Sequence, residues 1–195
     1  MPDTTSILLI DAAVRADSRT RQLAQYLAEK LGGTVSTVRA EDAALPTLDE
    51  KTLAWRTDCC AARDFDHDYF RFAKQFAAAD TIVVAAPYWD ASFPAALKKY
   101  IETVCVTGLT FRYSAEGFPV GMCRAKALYY VTTAGGRIFN DAYGFGYIRD
   151  LAQNMFGIRE VHLIKAENLD VIGADTDAIL RGTMADIDRI AEENR

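Results

Sequence analysis

Residues 6–10 have the sequence SILLI, a short and uninterrupted apolar run that is followed by a more polar segment. Such a run is typical of a β-strand that is buried on both faces, as the inner strands of a parallel sheet are. A second run of this kind, TIVVAA, occupies residues 81–86 and ends at Pro87. Two such strands predict a parallel sheet that carries helices on both of its faces.

The rest of the chain alternates between strand-like and helix-like patterns. Apolar residues recur at helical spacing in five segments, and short apolar or β-branched runs mark three further strands. The predicted strands are residues 6–10, 34–38, 81–86, 125–131 and 160–164, and the predicted helices are residues 20–31, 65–79, 93–106, 144–156 and 175–193. Residues 41–64 show little periodicity. We expect residues 1–195 to form a single doubly wound α/β domain.

The composition excludes several classes of protein. The chain has 195 residues, with 22 Lys and Arg against 27 Asp and Glu, and its formal net charge is -5. This acidic balance argues against a nucleic-acid-binding protein, which needs a basic surface to meet phosphates. The apolar runs are too short to span a bilayer, and the first residues do not resemble a signal peptide. We therefore expect a cytoplasmic protein that binds neither nucleic acid nor membranes.

The cysteines do not form a recognisable motif. No C-x-x-C pair occurs among them, and without an export signal they are expected to be reduced thiols; they are Cys59, Cys60, Cys105 and Cys123. The vicinal pair Cys59-Cys60 is expected to lie in a polar surface loop. A redox or metal-binding role for this pair, together with residues 66–68, is the alternative.

In a doubly wound fold, ligands bind beyond the carboxyl ends of the strands, so the loops there are of most interest. The loop after the first strand lacks both the G-x-G-x-x-G and the G-K-[ST] patterns. It instead places the hydroxyls of Ser18 and Thr20 where a helix begins, a position that favours phosphate. Arg15, Arg19 and Arg21 add positive charge. A capped helix with solvated arginines is the alternative interpretation.

The loops after the third and fourth strands differ from the first in chemistry. Residues 87–94, PYWDASFP, crowd aromatic and proline side chains together, and a planar ring could stack on Tyr88 or Trp89. Residues 132–136, TTAGG, could aim backbone N–H groups at a ligand. Packing of the aromatics on the next helix and a plain glycine turn are the alternatives. Taken together, the three loops suit flavin mononucleotide (FMN), which has a phosphate, a flat ring and an electron-rich pyrimidine edge.

A family resemblance rests on the middle of the chain. The segments APYW (86–89), FP (93–94), LKKYI (97–101) and GLTFRY (108–113) resemble the FMN-dependent NADH-azoreductases of the flavodoxin-like NAD(P)H:quinone oxidoreductase superfamily. The resemblance implies a flavodoxin-like fold with a five-stranded parallel sheet of order 2-1-3-4-5. It also implies tightly bound FMN and a homodimer whose active sites lie at the subunit interface.

The resemblance also assigns roles to individual residues. The phosphate would be held by Ser18, Arg19 and Thr20. The ring would be lined by Pro87, Tyr88, Trp89 and Asp90, with a backbone N–H of this loop near flavin N5. The pyrimidine edge would meet Thr133, Ala134, Gly135 and Gly136. The substrate pocket would include Trp89 and also Tyr113, which would lie against the partner subunit. The chain departs from the family in having Ala13-Val14 where Ser-Pro is frequent and Asp90 where Asn is frequent.

The implied activity is hydride transfer from NADH or NADPH through flavin N5 to a quinone, azo or nitroaromatic acceptor, with ping-pong kinetics. The cofactor carries this chemistry, so no metal and no protein nucleophile is needed. A flavodoxin-type electron carrier and a non-catalytic flavodoxin-like protein are the alternatives. A phosphoryl-transfer receiver is disfavoured, because Pro87 stands where the phospho-acceptor Asp would be.

Overall fold

The computed structural model describes residues 5–193, and its main feature is a five-stranded parallel sheet. The strands of the chain are, in sequence order, β1 (Ser6–Asp11), β2 (Thr34–Arg39), β3 (Thr81–Ala85), β4 (Phe111–Tyr113), β5 (Pro119–Gly121), β6 (Ala127–Thr133) and β7 (Glu160–Ala166). The large sheet has the order β2-β1-β3-β6-β7. This confirms the predicted flavodoxin-like order 2-1-3-4-5, in which only the five long strands are counted.

Helices cover both faces of the sheet. They are α1 (Arg19–Leu31), α2 (Glu50–Ala62), α3 (Arg71–Ala78), α4 (Ala95–Val104), α5 (Tyr147–Leu151) and α6 (Thr176–Glu193). Ile7 and Leu9 of β1 belong to the core that α1 and α6 cover, whereas Leu8 and Ile10 belong to the core on the α3, α4 and α5 side. Because successive side chains alternate between faces and both faces are covered, residues 7–10 must all be apolar.

The parallel register places the carboxyl ends of the inner strands at one edge. Asp11 at the end of β1 is paired with Ala85 at the end of β3, and Ala85 is paired in turn with Val131 of β6. The helix α1 begins close to this edge, because Ser18 caps it and accepts a hydrogen bond from the Arg21 amide at 3.3 Å. The end of α1 is set by Gly32, whose φ of 70° suits glycine.

The expectation that Cys59 and Cys60 lie in a polar surface loop is wrong, because α2 occupies Glu50–Ala62 within the weakly periodic residues 41–64. Asp49 caps this helix through a hydrogen bond from the Thr52 amide at 2.7 Å. None of the α2 residues is buried. A helix that hides no continuous apolar stripe leaves little periodic signal in the sequence, which explains the error. Cys59 and Cys60 therefore lie on a helix.

Three other segments also differ from the sequence-based expectations. The predicted helix 144–156 contains only five residues of regular α-helix, α5, between π-helical turns at Ala142–Gly146 and Ala152–Phe156. The antiparallel hairpin of β4 and β5 was not predicted, because its strands have only three residues each. The predicted helix 65–79 is shorter than expected: a 3₁₀ turn at Asp68–Phe70 leads into α3.

No helix in the described part of the chain is long and apolar enough to cross a membrane.

Candidate functional site

A cleft of about 430 Å³ opens at the carboxyl edge of the sheet, where the three predicted loops meet. Eight of the predicted site residues line it: Ser18, Arg19, Thr20, Pro87, Tyr88, Trp89, Thr133 and Gly135. Asp90, Ala134 and Gly136 belong to the same loops without lining the cleft. Tyr113 lies on β4 and is likewise outside the lining, so its assignment to the substrate pocket stays a prediction.

The first loop presents unpaired backbone donors to the cleft. Among residues 5–193, the amide nitrogens of residues 14–17 form no hydrogen bond. The amides of Arg19 and Thr20, in the first turn of α1, also lack a helical partner. Unpaired N–H groups at the positive end of a helix form a binding site for an anion. This donor set fits a phosphate group.

The hydroxyl of Thr20 has a protein partner. Thr20 is buried, and its Oγ1 lies 2.6 Å from Oγ1 of Thr133 at the end of β6. This hydrogen bond joins the start of α1 to the end of β6 in the lining of the cleft. Ser18 Oγ accepts a bond from a backbone amide, so its own hydroxyl proton is available to a ligand. Of the two predicted hydroxyls, Ser18 is therefore the freer donor.

Arg19 is held by a residue that was not predicted from the sequence. Its guanidinium donates to the carboxylate of Asp170 at 2.7 Å and to the carbonyl of Leu169 at 3.1 Å. Asp170 follows β7 and lines the cleft. The predicted site drew on the loops after the first, third and fourth strands and omitted the loop after the fifth. Because all five strands are parallel, this loop reaches the same edge of the sheet, and that topology was the available signal.

The aromatic loop contains a tight two-residue turn. The Trp89 amide donates to the Ser92 carbonyl at 3.1 Å, and the Ser92 amide donates to the Trp89 carbonyl at 2.7 Å. Asp90 and Ala91 between them have φ values of 51° and 63°, the left-handed region that L-residues enter at a cost. The Tyr88 amide donates to the Thr133 carbonyl at 2.9 Å. The free amides of this turn are therefore those of Asp90 and Ala91, within the residues that the structure describes.

The glycine turn is fixed by the segment that follows β7. The amides of Asn168, Leu169 and Asp170 donate to the carbonyls of residues 134–136 at 2.9–3.2 Å. A Cβ on Gly135 would lie 2.4 Å from Oδ2 of Asp170, so a larger residue there would displace the Asp170 side chain. The amides of Gly135 and Gly136 make no hydrogen bond within the described chain and can serve a ligand.

A smaller cavity of about 230 Å³ lies beyond Tyr88. Tyr88 borders both cavities, and its hydroxyl donates to the carbonyl of Asn140 at 3.3 Å. Thr132 and Lys165 also line the smaller cavity, and Lys165 is paired with Glu167 at 2.8 Å. The Tyr88 side chain is thus the wall between the two spaces.

The histidines and the vicinal cysteines have contacts that are typical of structural residues. His67 Nδ1 accepts a hydrogen bond from the Tyr69 amide at 3.0 Å and thereby caps a 3₁₀ turn. Desolvation raises the pKa of the Cys59 and Cys60 thiols, which disfavours a reactive thiolate. His162 on β7 stacks on Tyr129 with ring centroids 4.8 Å apart. Within residues 5–193, no group of three or more His, Cys, Asp or Glu residues is arranged to hold a metal ion.

Comparison with known proteins gives a consistent result. The model of a family described as "Flavodoxin-like fold" matches residues 5–190. A curated relative, FMN-dependent NADH:quinone oxidoreductase 1 of Hahella chejuensis, is 35% identical over 188 residues that cover 90% of each chain. FMN-dependent NADH:quinone oxidoreductase 2 of Clostridium acetobutylicum is 41% identical over 133 residues, 66% of each chain. For the first curated relatives the match spans 56% to 66% of their length.

Solved structures share the fold at low sequence identity. The azoreductase from Bacillus anthracis str. Sterne has a TM-score of 0.82 at 20% identity, covering 97% of this chain and 99% of its own. The NAD(P)H:quinone oxidoreductase from Methanothermobacter marburgensis has a TM-score of 0.73 at 16% identity, covering 98% of this chain and 100% of its own. With the family model spanning nearly the whole chain and a relative matched over nine-tenths of its length, this protein belongs to the flavodoxin-like fold family.

Proposed function

We propose that the protein is an FMN-dependent NAD(P)H oxidoreductase that reduces quinones, with azo and nitroaromatic compounds as further acceptors. The observation that carries this proposal is the cleft at the carboxyl edge, which has unpaired amides at one end and aromatic side chains at the other. The names of the relatives from Hahella chejuensis and Clostridium acetobutylicum support the same activity.

The first loop would hold the FMN phosphate. The unpaired amides of residues 14–17, the amides at the start of α1 and the Ser18 hydroxyl form a donor set that matches a phosphate dianion. The site needs no side chain at Ala13 or Val14 to supply these donors. Arg19 would remain at the rim, where Asp170 holds it.

The ring would lie against Tyr88 and Trp89. Trp89 is 38% exposed and lines the cleft, so its ring face is available for stacking. The amides of Asp90 and Ala91 on one side and of Gly135 and Gly136 on the other would donate to polar atoms at the ring edges. FMN bound in this way would supply hydride transfer between NAD(P)H and the acceptor.

A single open side of the cleft would serve both NAD(P)H and the acceptor. The two substrates would then bind in turn, which gives ping-pong kinetics. Initial rates measured at several fixed quinone concentrations should give parallel lines in a double-reciprocal plot against NADH. Intersecting lines would show that both substrates bind at once and would contradict the shared pocket.

The protein would act as a homodimer with Tyr113 near the partner's active site. Large aromatic side chains are exposed on the β4–β5 hairpin and in the segment that follows β6: Tyr113, Phe118, Phe139 and Tyr143 are 56%, 70%, 78% and 64% exposed. Such exposure is typical of a surface that a second subunit covers. Sedimentation equilibrium should give twice the mass of 21.6 kDa. A monomer that turns over quinone would contradict the dimeric active site.

The proposal is tested by an absorption spectrum of the purified protein followed by an anaerobic NADH titration. We expect a yellow protein, or one that becomes yellow with added FMN, whose visible bands bleach rapidly with NADH and return with a naphthoquinone. An FMN-binding protein that NADH does not bleach would be an electron carrier of the flavodoxin type. A protein that takes up no FMN would be a non-catalytic member of the family.

A further inference from the structure

A buried ion pair lies directly behind the first loop. Asp11, at the end of β1, is 2% exposed, and its Oδ2 accepts a hydrogen bond from Nε of Arg21 at 2.5 Å. The Arg21 side chain is 13% exposed. The other carboxylate oxygen accepts a bond from the Ala13 amide at 2.9 Å, and Nε of Arg39 lies 3.9 Å from Oδ2. The charge of Arg21 is therefore largely neutralised by its partner.

The Arg21 guanidinium also binds the backbone of the loop. It donates to the carbonyl of Ala13 at 2.5 Å, to that of Arg15 at 2.7 Å and to that of Ala16 at 3.0 Å. With the bond to Asp11, four of its five N–H donors are thus used within one short stretch of chain. Arg21 has little capacity left for a ligand of its own.

These three bonds fix the direction of the amides in the loop. In a trans peptide the N–H group points opposite to the carbonyl of the same peptide unit. Because three carbonyls face the guanidinium, the amides of Val14, Ala16 and Asp17 face away from it. None of these three amides has a partner among the described residues, and Val14 and Asp17 line the cleft.

We infer that Asp11 and Arg21 form a positioning pair that holds the first loop with its amide donors turned toward the phosphate of a bound nucleotide. This inference rests on the proposed function, since the nucleotide is FMN. The pair acts through orientation, because Arg21 touches the carbonyls of the loop and its charge is matched by Asp11. Neither residue is proposed to contact the phosphate.

The test compares FMN with riboflavin, which has the same ring and side chain but no phosphate. Dissociation constants are measured by quenching of flavin fluorescence for the wild type, Arg21→Gln and Arg21→Lys. In Arg21→Gln we expect FMN binding to weaken about ten- to a hundred-fold, with riboflavin binding within about two-fold of the wild type. Arg21→Lys keeps the charge but not the planar fork, so it should restore only a small part of the difference.

The matched control is Arg181→Gln, the same substitution at an arginine on the surface. Arg181 is exposed on α6 and forms no ion pair within residues 5–193, and its replacement changes the net charge equally. It should leave the ratio of the riboflavin and FMN constants at the wild-type value. If Arg21→Gln does not fold, two other variants avoid an unpaired buried charge: Asp11→Asn/Arg21→Gln removes both charges, and Arg21→Lys keeps both. The ratio of the riboflavin and FMN dissociation constants is then measured in either of them.

The inference would be overturned if folded Arg21→Gln kept the wild-type ratio of the riboflavin and FMN dissociation constants. It would also be overturned if Arg21→Lys kept that ratio, because only the charge of residue 21 would then matter. An equal loss of both flavins would show a purely structural role. Failure of the proposed function can be distinguished from failure of this inference. A wild type that binds neither flavin would end the flavin proposal, whereas thermal stabilisation by inorganic phosphate in the wild type, lost in Arg21→Gln, would still support the pair.

Discussion

Trp89 presents the largest ring face in the proposed flavin site. Its backbone is fixed by two hydrogen bonds to Ser92, and its side chain is only partly covered. A rigid backbone below an open ring is well suited to stacking, because little backbone freedom remains to be lost when a planar ligand binds.

For Trp89→Ala we expect FMN to bind about three- to ten-fold more weakly and its visible absorption bands to shift, since an aromatic pair contributes about 0.5–1.5 kcal/mol beyond its buried area. Fluorescence titration and an absorption spectrum of the complex measure both effects. Trp89→Phe is the control and should retain most of the affinity because it keeps a ring. An unchanged affinity and spectrum in the alanine variant would contradict the stacking role.

Ala91 is held in a backbone conformation that suits glycine better. Its φ is 63°, and a non-glycine residue in the left-handed region costs roughly 1–2 kcal/mol. We therefore expect Ala91→Gly to raise the free energy of unfolding by about 1 kcal/mol. Urea denaturation measures the change. The same substitution in a regular helix, Ala185→Gly on α6, should lower it by about 1 kcal/mol, and equal signs for both variants would refute the argument.

Among the secondary-structure elements, the β4–β5 hairpin and the π-helical turn at Ala152–Phe156 depend on each other. A Cβ on Gly121 of β5 would lie 2.2 Å from the carbonyl carbon and oxygen of Phe156 and from the amide nitrogen of Gly157. These atoms belong to the backbone and cannot move aside cheaply. The close approach therefore joins the hairpin to the helical segment between β6 and β7.

Gly121→Ala should consequently lower the free energy of unfolding by about 1–3 kcal/mol, the usual cost of forcing extra atoms into a packed contact. Chemical denaturation monitored by circular dichroism gives the value. Gly182→Ala is the matched control, because Gly182 lies within α6 and has no neighbour within 4 Å of an added Cβ. It should stabilise the protein by about 1 kcal/mol. A neutral Gly121→Ala would mean that the hairpin packs less closely.

The response of the whole molecule to alkaline pH follows from its buried acids. Burial raises the pKa of Cys105 to about 11 and that of Cys123 to about 12, against an ordinary value of 9.0. Burial also raises the pKa of Tyr100 and Tyr130. Above pH 9 the unfolded chain therefore loses protons that the folded chain keeps. Stability is fully present below pH 9 and declines as the pH rises toward 12.

We expect the urea midpoint, measured under reducing conditions, to fall steadily between pH 9 and 10.5. Each of the two thiols lowers the free energy of unfolding by at most about 1.4 kcal/mol per pH unit. The variant Cys105→Ala/Cys123→Ala should show a flatter decline over this range. The two tyrosines should leave a residual slope from about pH 10 upward. An identical pH dependence in the wild type and the double variant would show that these thiols do not govern the decline.

The sheet could be predicted from sequence because its buried strands appear there as short apolar runs. Residues 7–10 and 82–86 are all apolar since both faces of their strands are covered, and a run this short and this apolar favours an inner strand of a parallel sheet. The helix α2 could not be found in the same way, because none of its residues is buried. Hairpin strands of three residues are also too short to show a period.

The cleft was partly predictable because three of its loops carry characteristic residues close together in sequence. The loops after β1, β3 and β6 carry hydroxyl, aromatic and glycine residues at one edge, and each of these loops contributes residues to the lining. Asp170 and the orientation of Arg21 depend on side-chain geometry between segments far apart in sequence. Arg19 and Asp170, for example, are 151 residues apart. No local pattern encodes such a pairing.

The three backbone hydrogen bonds between residues 134–136 and residues 168–170 have a practical consequence for protein engineering. A loop graft that replaced one of these segments alone would leave donors or acceptors of the other without partners. The loss would cost most at Ala134 and Leu169, which are buried. The two segments therefore form one structural unit. Replacing them with the segments of a relative, to change substrate specificity, requires exchanging both together.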